Sequence, residues 1–523
     1  MRLRVAELNT VIKDWRKVKV KVGLCYPNVY RAGMTGLTIQ LLYYLFNSHD
    51  DVVCERFFKL EGEPLSLESN KSLRSFDLLA FTFQYELDYV GFLEMLIKSG
   101  VPLDRKERAQ RGGPVIIAGG PAVWANPCVL EDYVDVFAIG EAEPLVNTLI
   151  GLFKECRDRE SFLEAASRID GLYVPSFSRG KVKGVIVNDL NASPHPISQV
   201  VTLGPKSSTP IFGKVFNLEA TRSCSRGCRF CLICWLSRPI RHRGLQLLKH
   251  LIDEGVAACN VDKVAMIGAG FSDHPRITEL LSYVVESGLK LSVPSIRGDI
   301  LKKDVFEALV KGGQRTLTIA PEAGNERLRE VIGKPISDDT ILKVCEEALD
   351  AGIRRLKLYF MVGLPGERRE DVEDVIKLVD KLCRRGFLNI HVTVGPLIPK
   401  AQTPFQWLPL ARREVLAERY KVLSKLSRLP RVRVDLTALR LAELQALVSM
   451  GDRCVGRVLA VVAKMGGRLG TWRSAIKSLN LDLDAIVYGD KPLDSSLPWD
   501  FIYTGPQKHY LTREYEKAVS LAS

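Results

Sequence analysis

From Val215 to Pro399, short apolar runs of strand length alternate with amphipathic helical stretches. VFNLEAT is followed by GLQLLKHLIDEG, KVAMIGAG by ITELLSYVVESG, LKLSVPSI by DVFEALVKGG, RTLTIAPE by ILKVCEEALDAG and RRLKLYFMVG by DVEDVIKLVDKLCRRG, and LNIHVTVGPLIP closes the series. The helical stretches carry apolar residues at i, i+3 and i+4 and stop at Gly255, Gly288, Gly312, Gly352 and Gly386. Crossovers between parallel strands share one hand, so six strands joined by five such helices predict a parallel barrel or partial barrel. Its ligands belong on the loops that leave the C-terminal ends of the strands.

A second alternation occupies Val18 to Phe153, with strand-like KVKVGLCYP, VVCERFF, DLLAFTF, PVIIAGGP and VDVFAIGEAE separated by helical patterns. It predicts an open, doubly wound parallel sheet. The expected strand ends carry Tyr26-Pro27-Asn28, Gly119-Gly120-Pro121 and Gly140-Glu141, where a ligand would bind and glycine would let it approach. A tight turn is the competing explanation of Gly119-Gly120-Pro121. Residues 160–214 are richer in Ser, Pro and Gly and read as a β-linker, while beyond Arg412 the pattern is helical and basic, a small appendage whose aromatic tail could strap an active site. The expected organisation is therefore α/β: a doubly wound domain over 1–158, a β-rich linker over 159–213, a partial (β/α)6 barrel over 214–411 and a mostly α region over 412–523.

No stretch of about 18 uncharged apolar residues occurs and no secretory leader opens the chain, which predicts a cytoplasmic protein with no membrane span. In that setting its 12 cysteines read as thiols rather than disulfides. Eight are scattered, and four cluster as Cys224, Cys228, Cys231 and Cys234. The formal charge is +13, and Thr221 to His250 holds Arg222, Arg226, Arg229, Arg238, Arg241, Arg243 and Lys249 with no acid at all. Such a stretch suits a reduced iron–sulfur site, because a carboxylate there would oppose the added electron.

Cys224-x3-Cys228-x2-Cys231 directly follows the first barrel strand. Three thiolates on one loop can hold three irons of a [4Fe-4S] cluster and leave the fourth iron open. Spacing alone also admits a four-cysteine zinc site or a closed cluster through Cys234, although Cys234 sits in the apolar run LICWL, where a buried thiol is the ordinary outcome.

This segment closely resembles the radical S-adenosylmethionine (SAM) superfamily. The resemblance implies that the SAM amine and carboxylate fill the open iron and that reductive cleavage yields a 5'-deoxyadenosyl radical, with a reductant such as ferredoxin or flavodoxin. It also implies SAM contacts at the following strand ends. Gly268-Ala269-Gly270 resembles the superfamily's Gly-Gly-Glu loop, which meets the methionine amino group, but Phe271 stands where the Glu is expected, leaving the work to backbone carbonyls. By the same resemblance Ser295 or Arg297 would meet the carboxylate, Glu322 the ribose hydroxyls, and Gly363 with Pro365 would shape the adenine pocket. Tyr26-Pro-Asn-Val-Tyr30, Gly119-Gly120-Pro121 and Gly140-Glu-Ala-Glu143 look like the cobalamin-binding-type domain of B12-domain radical SAM proteins, in a branch whose reaction is undefined.

Tyr26, Gly120 and Glu141 would then face a corrinoid. The Asp-x-His-x-x-Gly element is missing, and His49 is the only histidine before His195, so a bound cobalamin would be His-off. A sheet that binds no corrinoid is the other outcome. The implied activity modifies an unactivated carbon, by methyl transfer with cobalamin and by hydrogen abstraction or carbon–carbon coupling without it. Arg238, Arg241 and Arg243 suit an anionic substrate, RNA or lipid, or else a solvated helix start. Two other classes stay open: a non-catalytic all-cysteine electron carrier and an RNA-binding module with a structural cluster.

Overall fold

The structure is a computed structural model that describes residues 5–178, 180–205, 209–297, 303–505 and 508–523. Positions 206–208 of the expected linker and 506–507 of the aromatic tail lie outside the described residues.

The apolar runs of the N-terminal third form β1 (Val20–Tyr26), β2 (Val52–Phe58), β3 (Leu78–Thr82), β4 (Val115–Gly119) and β5 (Val136–Ala138). They run parallel in the order β2-β1-β3-β4-β5, and β6 (Leu172–Tyr173) adds antiparallel to β5. β2 and β3 are buried at every position, as strands covered by helices on both faces must be. Strand order reverses between β1 and β3, so a crevice opens beyond their carboxyl ends.

The second alternation forms β7 (Phe216–Glu219), β8 (Lys263–Ile267) and β9 (Lys290–Ser292) in one parallel sheet. A second parallel sheet follows with β10 (Thr316–Glu322), β11 (Arg355–Val362), β12 (Asn389–Pro396) and β13 (Val432–Leu436). The Ile296 N–H donates to the Thr318 carbonyl at 3.0 Å and links the two. In β11 and β12 buried and half-buried positions alternate. Leu356, Leu358, Phe360 and Val362 share one apolar core with Val372, Val375 and Val379 of the next helix, so the alternate face, with Lys357 and Tyr359, lines the barrel interior.

Two expectations change. β13 is a seventh barrel strand inside the stretch read as helical: Val432, Val434 and Leu436 alternate with Arg433 and Asp435, the period-two pattern of a half-exposed edge. The C-terminal helices are also no appendage. Leu444, Leu447, Val455, Val458 and Leu459 share a core with Phe83, Tyr89, Phe92 and Trp235. Asn126 donates to the carbonyls of Ser449 (3.1 Å) and Gly451 (2.8 Å), fastening this region to the N-terminal sheet. In the linker, Val182–Lys183 pairs with Ile502–Tyr503 and Val201–Thr202 with Glu7–Leu8.

Candidate active site

The cysteines lie on a loop pinched at its base, where Thr221–Arg222 pairs antiparallel with Arg241–His242. Inside it, the Cys231 N–H donates to the Cys228 carbonyl (3.0 Å), and Leu232–Leu236 forms a short helix. That helix is fixed at two points. Trp235 Nε1 donates to the Cys228 carbonyl at 2.8 Å. Arg238 donates to the carbonyls of Cys234 (2.6 Å) and Arg226 (3.0 Å) while its guanidinium lies 4.3 Å from the Trp235 ring centroid.

Cys234 on this helix is buried, 2% exposed. Hydrogen bonding to Cys224, Cys228 and Cys231 pushes its own pKa far up, whereas the same contact draws Cys224 down to about 7 against the opposing effect of burial. Among the described residues no group of three or more His, Cys, Asp or Glu side chains is arranged to hold a single metal ion. Three soft thiol donors on one loop, one of them already drawn toward thiolate, fit the chemistry of an iron–sulfur cluster.

The fold corrects the expectation of an acid-free environment. Asp273 Oδ2 lies 4.0 Å from Cys224 Sγ and accepts from Ser225 Oγ at 2.6 Å, while Arg297 pairs with Asp273 Oδ1. Asp273 stands three residues beyond Gly270, so the carboxylate missing from position 271 arrives from slightly farther along the same loop.

The glycines of that loop are required by its closeness to the cysteines. Gly268 has φ +144°, and a Cβ there would lie 2.4 Å from the Thr221 carbonyl oxygen; at Gly270 one would lie 2.7 Å from that of Ser223. Gly268→Ala is expected to push the cysteine loop away, lowering cluster occupancy several-fold and the thermal midpoint measurably. Iron per chain and calorimetry read the two effects.

The remaining site candidates are spread around the barrel mouth. Ser295 is exposed, and Arg297 is already engaged by Asp273. Glu322 has φ +70° and pairs with Lys334 at 3.0 Å, while burial pushes its carboxyl pKa up. The Gly363 N–H donates to Glu367 Oε1 at 3.0 Å; burial pushes Glu367 up to about 7 despite this bond and Arg419. The turn through Pro365 is packed against the helix Lys508–Ala522, whose Ala522 sits over Gly366. The same helix presents Glu514 to Arg229 at 3.0 Å and Tyr510 to Trp235, backing the cysteine loop.

The arginines proposed for an anionic substrate are committed elsewhere. Arg241, 7% exposed, holds both oxygens of Glu141 at 2.8 and 2.9 Å. Arg243, 1% exposed, donates to the carbonyls of Leu190 and Ser193. Arg222 meets Glu141 at 3.0 Å and Glu143 and Glu219 at 2.7 Å each. Together with Arg238, which stacks on Trp235, they hold the cysteine loop to the N-terminal sheet and linker. The Glu141 carboxylate is correspondingly occupied by Arg222, Arg241 and the Val187 N–H.

A cavity of about 510 Å³ opens at this junction. One wall is the carboxyl edge of the N-terminal sheet, with Thr82, Gly120 and Glu141; the facing wall is Ser223, Ile233, Gly268 and Ala269 from the barrel. From there an apolar arm runs between the sheet face (Ala80, Ile117, Ala138) and helical residues including Leu41, Phe46 and Leu149. Tyr26 is not in the lining; its ring packs against Phe58. A Cβ at Gly120, φ +100°, would fall 2.5 Å from the Phe83 carbonyl oxygen, so the turn itself demands this glycine. Ser223, 2% exposed and in the cavity wall, has a hydroxyl without a hydrogen-bond partner. The Ser223 hydroxyl offers a polar contact to a ligand in this cavity.

The family profile described as "Radical SAM proteins, N-terminal" matches residues 38–175, and that described as "Radical SAM superfamily" matches residues 218–379. An uncharacterized protein of Methanocaldococcus jannaschii is 33% identical over 393 residues, covering 75% of this chain and 80% of its own. An uncharacterized methyltransferase of Pyrococcus horikoshii is 24% identical over 51% of this chain and 58% of its own. Among solved structures, the fold is similar to the radical SAM methyltransferase TsrM from Kitasatospora setae with cobalamin and a [4Fe-4S] cluster bound (TM-score 0.56, 14% identity, 88% of this chain and 99% of that one). It is also similar to the cobalamin-dependent SAM radical enzyme OxsB with aqua-cobalamin bound (TM-score 0.54, 12% identity, 96% and 80%).

Proposed function

Since this chain belongs to the radical SAM superfamily and is by that membership an enzyme of the [4Fe-4S] cluster and SAM, we propose that it is a cobalamin-using member, transferring a methyl group to an unactivated carbon. One observation carries the proposal: a single cavity is bounded on one side by the carboxyl edge of the N-terminal sheet and on the other by Ser223, Gly268 and Ala269 beside the cysteines. A corrinoid held by the sheet and SAM held by the barrel would share that chamber. The solved structures of similar fold that contain cobalamin support the same choice.

When bound, the cluster supplies the electron that cleaves SAM, and the corrinoid supplies a methyl carrier. Cys224, Cys228 and Cys231 would hold the cluster. Asp273 would accept from the SAM amine, and its carboxylate is oriented by Arg297 and Ser225. Glu322, turned by its positive φ and held by Lys334, would receive the ribose hydroxyls. Gly120 and the apolar arm would take the corrinoid. Glu141 fixes the cavity wall through Arg241. Reduction requires an outside one-electron donor of the ferredoxin or flavodoxin class.

The decisive measurement is retention of hydroxocobalamin by folded, anaerobically reconstituted protein after gel filtration. About one corrinoid per chain is expected, and Ala138→Trp, which fills the arm, should lower retention at least tenfold while SAM cleavage persists. A wild-type chain that cleaves SAM and retains no corrinoid would remove methyl transfer and leave hydrogen abstraction or carbon–carbon coupling.

A further inference from the structure

Several cations of the barrel are matched by acids: Arg297 by Asp273, Lys334 by Glu322 and, on the edge strand, Arg433 by Asp435. Lys357 is not. It sits half-buried on the interior face of β11, and no carboxylate or other hydrogen-bond acceptor among the described residues takes any of its three ammonium donors. Its Nζ lies 4.9 Å from the centroid of the Tyr359 ring, two residues nearer the carboxyl end of the strand, so the ammonium leans toward the mouth. Register sets its neighbours. β12 places His391 beside Lys357 and Thr393 beside Tyr359, both half-buried on the same face, and β13 places Asp435 beyond Thr393. That acid is already shared, bonded to His391 Nε2 at 2.6 Å and accepting from Arg433. The hydroxyls of Tyr359 and Thr393 have no hydrogen-bond partner among the described residues.

A half-buried ammonium beside two unused hydroxyls is a set of donors with no acceptor, and burial makes such a set costly unless a ligand supplies one. Resting on the reading of the barrel as the SAM site, we infer that this interior ledge receives the acid group of the substrate. The substrate is then a small molecule bearing a carboxylate or phosphate, whose oxygens accept from Lys357 Nζ and from the Tyr359 and Thr393 hydroxyls. Spacing agrees. Glu322 at the mouth stands level with Phe360, three residues beyond Lys357, so at about 3.3 Å per residue roughly 10 Å separates their levels. That span holds a molecule of several carbons, with its acid on the ledge and its reacting carbon toward a SAM ribose at Glu322. Arg241 and Arg243, near the cysteines, hold the fold together, and the substrate's charge is read inside the barrel.

The test amidinates the lysines of full-length, cluster-reconstituted protein with ethyl acetimidate and quantifies each by mass spectrometry, in millimolar acetate, inorganic phosphate or, at equal ionic strength, chloride. Lys357 should label in chloride and be slowed at least fivefold by acetate or phosphate, whereas Lys290, paired with Asp262 on the surface, should label at one rate throughout. Protection by acetate alone identifies a carboxylate substrate, by phosphate alone a phosphorylated one, and by both an oxyanion of either kind. Tyr359→Phe and Thr393→Val each remove one hydroxyl, and each should weaken the protection several-fold. A Lys357 that labels equally in all three salts, or that does not label even in chloride, would overturn the inference. Protection undiminished in both hydroxyl variants would overturn it too, since the anion would then be an ordinary counter-ion of a lysine. Failure of the underlying reading looks different: reconstituted wild type does not cleave SAM, whatever Lys357 does under a reagent that requires neither cluster nor SAM.

Discussion

Cys224→Ala protein is expected to assemble no stable [4Fe-4S] cluster and to produce 5'-deoxyadenosine at roughly a hundredth of the wild-type rate or less. The effect is large because side chains supply no substitute for the cluster's electron. It should also be selective. Cys224 anchors the face of the loop that meets Asp273, and removing its sulfur leaves intact the contacts that fold the loop: Trp235 to the Cys228 carbonyl, and Arg238 to those of Cys234 and Arg226. Circular dichroism and the thermal midpoint of the metal-free variant should therefore match those of the metal-free parent. Iron content and chromatographic quantification of 5'-deoxyadenosine decide the matter; a variant that keeps both would refute the assignment.

Reversal of Arg241 should be nearly as damaging, but through stability. Arg241→Glu breaks a bidentate pair with Glu141 and sets a second carboxylate against it in a place almost without water. Breaking a buried pair by removing one partner costs about 3–5 kcal/mol, and the added like charge deepens the loss. Expected results are poor soluble yield, a denaturant midpoint well below that of the parent, and little relief from added salt, since buried charges are weakly screened. The double variant Arg241→Glu with Glu141→Arg should recover part of the loss. An Arg241→Glu chain that unfolds at the parental midpoint while losing only turnover would return this arginine to substrate binding.

The contrast between these residues explains what the sequence made legible. Cysteine spacing is a local property, written within eight residues of one loop, and so are the strand–helix periods that announced both sheets. The fate of the arginines is not local. Arg241 finds its acid 100 residues upstream, and Arg222 finds Glu143 79 residues away, so an acid-free stretch of sequence became a neutralised region of space. Asp273 carries no signal for a related reason: the motif asks for an acid directly after Gly270, whereas a turn of helix carries the next carboxylate back to Ser225. β13 did have a signal, the alternation of Val432, Val434 and Leu436, but it is short, charged and surrounded by helix.

The pairing of Arg229 with Glu514 spans 285 residues. At roughly 5–20 residues per second of synthesis, the cysteine loop leaves the ribosome on the order of a quarter of a minute to a minute before the helix that backs it. During that interval the thiols exist without their cover, and contacts so distant in sequence are slow to form even once both partners are present. The cysteine loop therefore gains its last backing, from Glu514 and Tyr510, only when the end of the chain has been made.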